Sequence, residues 1–361
     1  MGRRAGIAKL RSLLAGRWAG LAGTALVLVV GLVIAARTLE TDRVVEVIRL
    51  ADLRVLAVAT VLYGLSWPLR GRRYDDVLAG MGRRCGVGFL TAAVFLSQTV
   101  NLVVPARAGD GFRAYLLKRR RSVPYSTGAA SLTVERLFDL LGLALLGACS
   151  GLWLLTAGRT LGGERAGRFL TGAAAVGTVA AVLAFVLVIA ARGEWRLAER
   201  ARSRLDRSRL SWLVEALVQF GSDLRVVAQR PTALVTIGIG TLAIWILDVL
   251  TAVLVLWAVA GASGESVLGF LAVGTLAVTV GNLAKVLPLS QGGLGLYEAA
   301  FTALVVAVSP ITASTALAAA ILDHALKNGV TVVGGVGAAV LLNVSPGTLD
   351  RNHPEPESSD F

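Results

Sequence analysis

The sequence predicts an all-α, polytopic membrane protein with about six full transmembrane helices plus two re-entrant helical hairpins in an inverted repeat. Three observations lead there. The 361 residues are 55% hydrophobic and only 16% charged, with a mean hydropathy of +0.71, far from the balance of a soluble domain. Apolar runs such as 19–36 and 169–191 approach the ~20 residues that cross ~30 Å of hydrocarbon, and only internally hydrogen-bonded backbone is cheap there. Finally, two apolar stretches are broken by Gly- and Pro-bearing turns in matching ways.

The opening "MGRRAGIAKLRSLLAGR" resembles the charged start of a signal peptide. The apolar run behind it is long for a signal core and lacks a clear cleavage site before Arg37, so a retained first helix is expected. Arg3, Arg4, Lys9, Arg11 and Arg17 stand with no acid among them, which places the N-terminus in the cytoplasm. The charge-balanced loop "RTLETDR" suits the outer side. Residues 54–69 then return to a cytoplasmic "LRGRRYDDVLAGMGRR".

A full span over 87–104 would carry Lys118, Arg119, Arg120 and Arg121 outside, against the positive-inside rule. A hairpin that turns at Pro105–Gly111 and comes back resolves this, provided its broken backbone is buried in protein or lines a wet cavity. Residues 125–156 and 168–191 cross next. They deliver the loop 192–230, with nine arginines and five acids, to the cytoplasm, where Trp195, Trp212, Leu213, Leu217 and Leu224 suit helices lying along the interface. Residues 233–258 cross outward. An outer hairpin over 267–308, a final helix over 311–342 and a polar, disordered, cytoplasmic tail at 344–361 complete a single membrane domain over 1–343.

The two hairpins share a pattern. Gly88-Phe89-Leu90, ten residues, Asn101-Leu102, two residues, Pro105, three residues and Gly109 match Gly269-Phe270-Leu271, ten residues, Asn282-Leu283, four residues, Pro288, three residues and Gly292, giving repeat units of about 87–156 and 267–342. The charge count puts the hairpins on opposite sides. Inverted repeats whose broken helices meet near the midplane frame the substrate site in many secondary transporters.

Ionisable residues inside these segments are expensive and usually functional. In "SLTVERLFDLLG", Glu135 and Asp139 lie four apart with Arg136 able to pair with Asp139; the cluster either pins helix packing or binds an anionic head group. In "ILDHALKNG", Asp323 and Lys327 form a structural or a functional pair, and His324 is able to titrate near neutral pH. Arg107, Asp110 and Arg113 in "PARAGDGFR" make either a solvated loop or a phosphate clamp. Lys285 and the turn Gln291-Gly292-Gly293 precede Glu298, whose position suits gating or proton exchange.

Other chemistries find no footing. The net charge of +13, with 32 arginines, is explained by loop topology without nucleic acid. Cys85, Cys149, His324 and His353 make no metal-ligand pattern. No dinucleotide fingerprint or Walker A loop occurs, so neither cofactor nor ATP hydrolysis is expected.

"PARAGDGFR", "ERLFD" and "PLSQGGLGLYE" together resemble the flippase-like family named after the transmembrane region of lysylphosphatidylglycerol synthase, over about residues 15–343. The resemblance carries Pro105, Arg107, Gly109-Asp110, Arg113, Glu135-Arg136, Asp139, the three glycines and Glu298. It implies a polytopic protein that moves or accommodates lipids, including aminoacylated phospholipids and lipid-linked saccharides. One departure is Asp323-His324 and Lys327 where many members carry an arginine. Another is that only 18 residues follow residue 343, too few for an aminoacyl-transferase domain.

The expected function is therefore a non-enzymatic translocase of an anionic phospholipid or lipid-linked saccharide or polyprenyl phosphate in the cytoplasmic membrane of a high-GC bacterium. Arg107, Arg113 and Arg136 would hold the anion, and Lys285 and Lys327 would receive it. The alternatives are a scaffold or regulatory subunit of a separate cell-envelope synthase and an ion-coupled exporter of a small anion.

Overall fold

The computed structural model describes residues 41–104, 107–156, 211–261, 266–285 and 290–344, apart from the side chains of 155 and 211–217. The expected first helix, the crossing at 168–191, Pro105, Pro288, residues 192–210 and the tail beyond Val344 lie outside them. Among the described residues the chain is all-α with no strand: α1 (Thr41–Arg49), α2 (Leu53–Gly80), α3 (Val87–Val103), α4 (Ala108–Arg121), α5 (Tyr125–Thr156), α6 (Ser211–Ala228), α7 (Pro231–Ala260), α8 (Val267–Ala284), α9 (Leu296–Val308) and α10 (Ala313–Leu341).

Helix starts follow local chemistry. The Asp52 carboxylate accepts from Arg54 N at 2.8 Å to open α2, Ser266 and Thr312 cap α8 and α10 in the same way, and Pro231 sits in the first turn of α7. Five described segments are long and apolar enough to cross a membrane: Tyr125–Leu154, Pro231–Ala260, Val267–Ala284, Gln291–Val308 and Ala313–Leu341. Three of these coincide with the expected crossings at 125–156, 233–258 and 311–342.

Two local expectations are corrected. "RTLETDR" was read as a loop, yet Thr41–Arg49 is a helix packed on α10. The sequence ends the second crossing near residue 69 and puts "LRGRRYDD" beyond it, whereas α2 runs on to Gly80 and buries Arg73, Tyr74 and Asp75. Carboxylates on α5 compensate the buried Arg73 guanidinium, so the helix can stay inside the bundle.

In the packing, α7 lies against α2 and α8, α8 against α5 and α9, and α10 against α3, α7 and α9. The larger core joins Phe270 and Leu276 of α8 to Tyr297, Phe301 and Leu304 of α9, Val253 and Leu256 of α7, and the small face Ala316, Ala319 and Ala320 of α10. A second core stacks Trp67, Tyr74 and Leu78 on Leu90 and Leu117. Small residues let helices approach closely, as expected within lipid: a Cβ at Gly334 would overlap the Phe95 ring. The described part of the 192–230 loop docks on this bundle, with Val227 of α6 buried among Val77, Met81 and Ile237.

Two helical hairpins position the site. At the tip of α3/α4, the Asn101 side-chain oxygen accepts from Gly109 N at 2.8 Å, and Gly109 lies so close to the Ser97 carbonyl that no Cβ fits. Between α8 and α9, a short turn at Gln291–Gly293 leads through Gly292, Gly293 and Gly295, whose φ values of +61°, +76° and +80° favour glycine. The tips meet where the Leu102 side chain abuts Gly292.

Candidate functional site

A cavity of about 380 Å³ opens where the two tips meet α2, α5, α7 and α10. The first hairpin contributes Gln98, Asn101, Leu102, Val104 and Arg107, and the second contributes Asn282, Lys285, Ser290, Gln291, Gly292 and Gly293. The two asparagines of the repeated spacing both reach it. Leu140 and Leu143 of α5 add an apolar stretch of wall.

Of the residues singled out by sequence, Arg107, Arg136, Asp139, Lys285, Gln291, Gly292, Gly293, His324 and Lys327 line the cavity. Asp110, Arg113, Glu135, Glu298 and Asp323 stand behind its wall. Arg113 is fully buried and donates to Glu135 Oε2 at 2.6 Å and Ser97 Oγ at 3.1 Å. Its charge is spent on helix packing, which removes it from the set expected to hold the anion directly.

The wall on the α4/α5 side is an alternating charge network. Arg73 donates to Asp139 at 2.5 Å and Glu135 at 2.9 Å. Arg136 donates to both Asp110 oxygens at 3.3 and 3.2 Å and stays 3.8 Å from Asp139, so its main partner is on the neighbouring hairpin instead of its own helix. Trp245 Nε1 also donates to Asp139, at 3.2 Å.

A second network faces it from α10. Lys327 lies 2.8 Å from Asp248 Oδ2 and 3.0 Å from Asp323 Oδ2, and the Tyr297 hydroxyl donates to Asp323 at 2.5 Å. His324 Nδ1 sits 2.6 Å from Glu298 Oε1, while Glu298 Oε2 accepts from Gly295 N at 2.7 Å. Glu298 thus ties the glycine tip to α10. The Lys285 ammonium rests 4.6 Å over the Tyr297 ring.

Sequence reasoning missed Arg70, Arg73 and Asp248. Arg70 and Arg73, three apart, share a helical face, but "LRGRRYDD" reads as a polar loop. Asp248 carried a clear signal: it is the sole acid in the 30 residues of α7, and an isolated intramembrane carboxylate calls for a partner.

The cavity wall is cationic. Arg70, Arg107, Arg136, Lys285 and Lys327 face it against the carboxylates of Asp139 and Asp248. Such a surface is suited to anions. Among the described residues no group of three or more His, Cys, Asp or Glu side chains converges to hold a metal ion.

Residues 18–335 match the family described as "Lysylphosphatidylglycerol synthase TM region". A protein named Glycosyltransferase AglD, from Haloferax volcanii, is 44% identical over 340 residues, covering 89% of this chain and 54% of that protein. A UPF0104 membrane protein from Methanothermobacter thermautotrophicus is 26% identical over 302 residues, 79% of this chain and 80% of its own length. The chain therefore spans about half the length of the AglD relative. That relative overturns the expectation of a non-enzyme: its name is that of a glycosyltransferase. The expectation rested on the lack of a dinucleotide fingerprint, a Walker A loop and a metal-ligand pattern.

Proposed function

The chain belongs to the family of the lysylphosphatidylglycerol synthase TM region and is a multi-pass membrane protein; from that premise we propose that it is the membrane part of a glycosyl-transfer system. In this role it holds the anionic head of a lipid carrier, a polyprenyl phosphate or lipid-linked saccharide, in the cavity and carries it across the cytoplasmic membrane. The sugar-transfer chemistry in the name of the AglD relative and the handling of its lipid carrier then belong to one process. An anionic phospholipid is the other substrate the same wall would accept.

The observation that carries this reading is the cavity's excess of cations, five against two carboxylates. Arg107 and Arg136 engage the head from the α3/α4 tip, and Lys285 and Lys327 engage it from the opposite side. The hairpins, taken as inverted re-entrant units with both termini cytoplasmic, open the cavity to one face at a time. Glu298, held between Gly295 and His324, couples movement of the glycine tip to α10 in this reading.

The test is transport in liposomes. Purified protein should accelerate dithionite quenching of a fluorescent polyprenyl phosphate or lipid-linked saccharide well beyond empty vesicles, and Arg136→Ala should abolish the acceleration. No acceleration for any labelled anionic lipid would remove the proposal.

A further inference from the structure

The charges around the cavity pair off with a remainder. Arg73 and Arg113 are matched by Glu135 and Asp139, Arg136 by Asp110, Lys327 by Asp323, and Arg70 by Asp248 at 3.7 Å. Glu298 Oε1 lies 2.6 Å from His324 Nδ1. Two cations that line the cavity remain without a carboxylate within ion-pair distance among the described residues: Arg107, at the tip of one hairpin, and Lys285, at the tip of the other.

Donors are also left over around the same cavity. Trp67 Nε1, Ser290 Oγ and the Nε of the charged Arg136 guanidinium are buried with no acceptor among the described residues, and all three residues line it. Buried donors without partners are rare in folded proteins, and a ligand is one of the few things that explains them. The cavity carboxylates Asp139 and Asp248 are engaged by Arg73 and by Lys327.

Building on the lipid-carrier reading above, we infer that the cavity is a site for a phosphoryl group bearing two negative charges, contributed to by Arg107 from one hairpin tip and Lys285 from the other. Two unmatched cations are neutralised by a phosphate monoester and left half-matched by a phosphodiester. The site therefore selects a lipid monophosphate over ordinary phospholipids, and its occupancy joins the two hairpins through one ligand. Gly293 makes the second half of this site possible, since a Cβ there would occupy the space of the Lys285 stem.

The experiment measures binding to the full chain in detergent at pH 7, where a phosphate monoester is mainly the dianion, using farnesyl phosphate, its methyl ester with one charge fewer, and inorganic phosphate. Farnesyl phosphate should bind at least tenfold more tightly than the methyl ester, and Arg107→Gln and Lys285→Gln should each bring that ratio to within about twofold. Both variants should keep the wild-type melting temperature, because neither side chain is in an ion pair. Equal affinity for the two esters, or a ratio that survives both substitutions, overturns the dianion site while leaving the carrier reading intact. Inorganic phosphate binding as tightly as farnesyl phosphate overturns the lipid source, and no binding by any of the amphiphiles overturns the carrier reading itself.

Discussion

Glu135 and Arg113 meet at 2.6 Å with both side chains buried, and the second Glu135 oxygen is taken by Arg73 at 2.9 Å. One carboxylate on α5 thus clamps α2 and α4. The clamp is electrostatically closed, so its worth lies in the cost of opening it: a buried charge stripped of its partner costs about 3–5 kcal/mol.

Glu135→Ala should therefore destabilise the protein by about 3–5 kcal/mol, seen as a large fall in the detergent melting temperature. Arg107→Gln should leave melting unchanged. Similar melting of the two variants would mean that Glu135 does not clamp the bundle.

Gly293→Ala should impair ligand binding more than it impairs folding. The left-handed backbone at +76° costs a residue with a side chain about 1–2 kcal/mol, and the added methyl displaces the Lys285 stem. Farnesyl phosphate titration should show at least a tenfold loss of affinity; unchanged binding would separate Lys285 from the site.

His324→Ala should loosen the second hairpin tip without unfolding the bundle. Glu298 would keep its bond to Gly295 N and lose its tie to α10, a loss of about 1 kcal/mol for a hydrogen bond of this kind. Hydrogen exchange at residues 292–296 should speed up while exchange in α7 stays as in the wild type. Uniform acceleration, or none, would contradict the tie.

Cys85, in the turn between α2 and α3, gives a pH test of packing outside the spanning helices. Burial pushes its thiol pKa up, against the opposing pull of Arg121. Less thiolate is then present at any given pH below that value, so maleimide labelling should be slow at neutral pH and rise only above the ordinary thiol range. Fast labelling at pH 7 would show that this end of the bundle is open.

Much of this arrangement was legible in the sequence because membrane spans leave strong local signals. The break after Val103, the glycine tip before Glu298 and the helices beginning at Tyr125 and Ala313 follow from apolar run length and turn chemistry alone. What stayed hidden is non-local. Arg73 is buried in the bundle because Glu135 and Asp139, more than sixty residues away, neutralise it, whereas charge counting puts it in a loop. Arg136 was paired with Asp139 by helical spacing, whereas the hairpin brings Asp110 closer. Asp248 was within reach of the rule used for the other buried acids.

The most direct measurement is transport of a fluorescent polyprenyl phosphate in liposomes by the wild type and by the Arg107→Gln/Lys285→Gln double variant. The wild type should raise the quenching rate at least tenfold over empty vesicles, and the double variant, melting at the same temperature, should match empty vesicles. A wild type no faster than empty vesicles, or a double variant as fast as the wild type, would contradict a cationic cavity that carries the lipid phosphate.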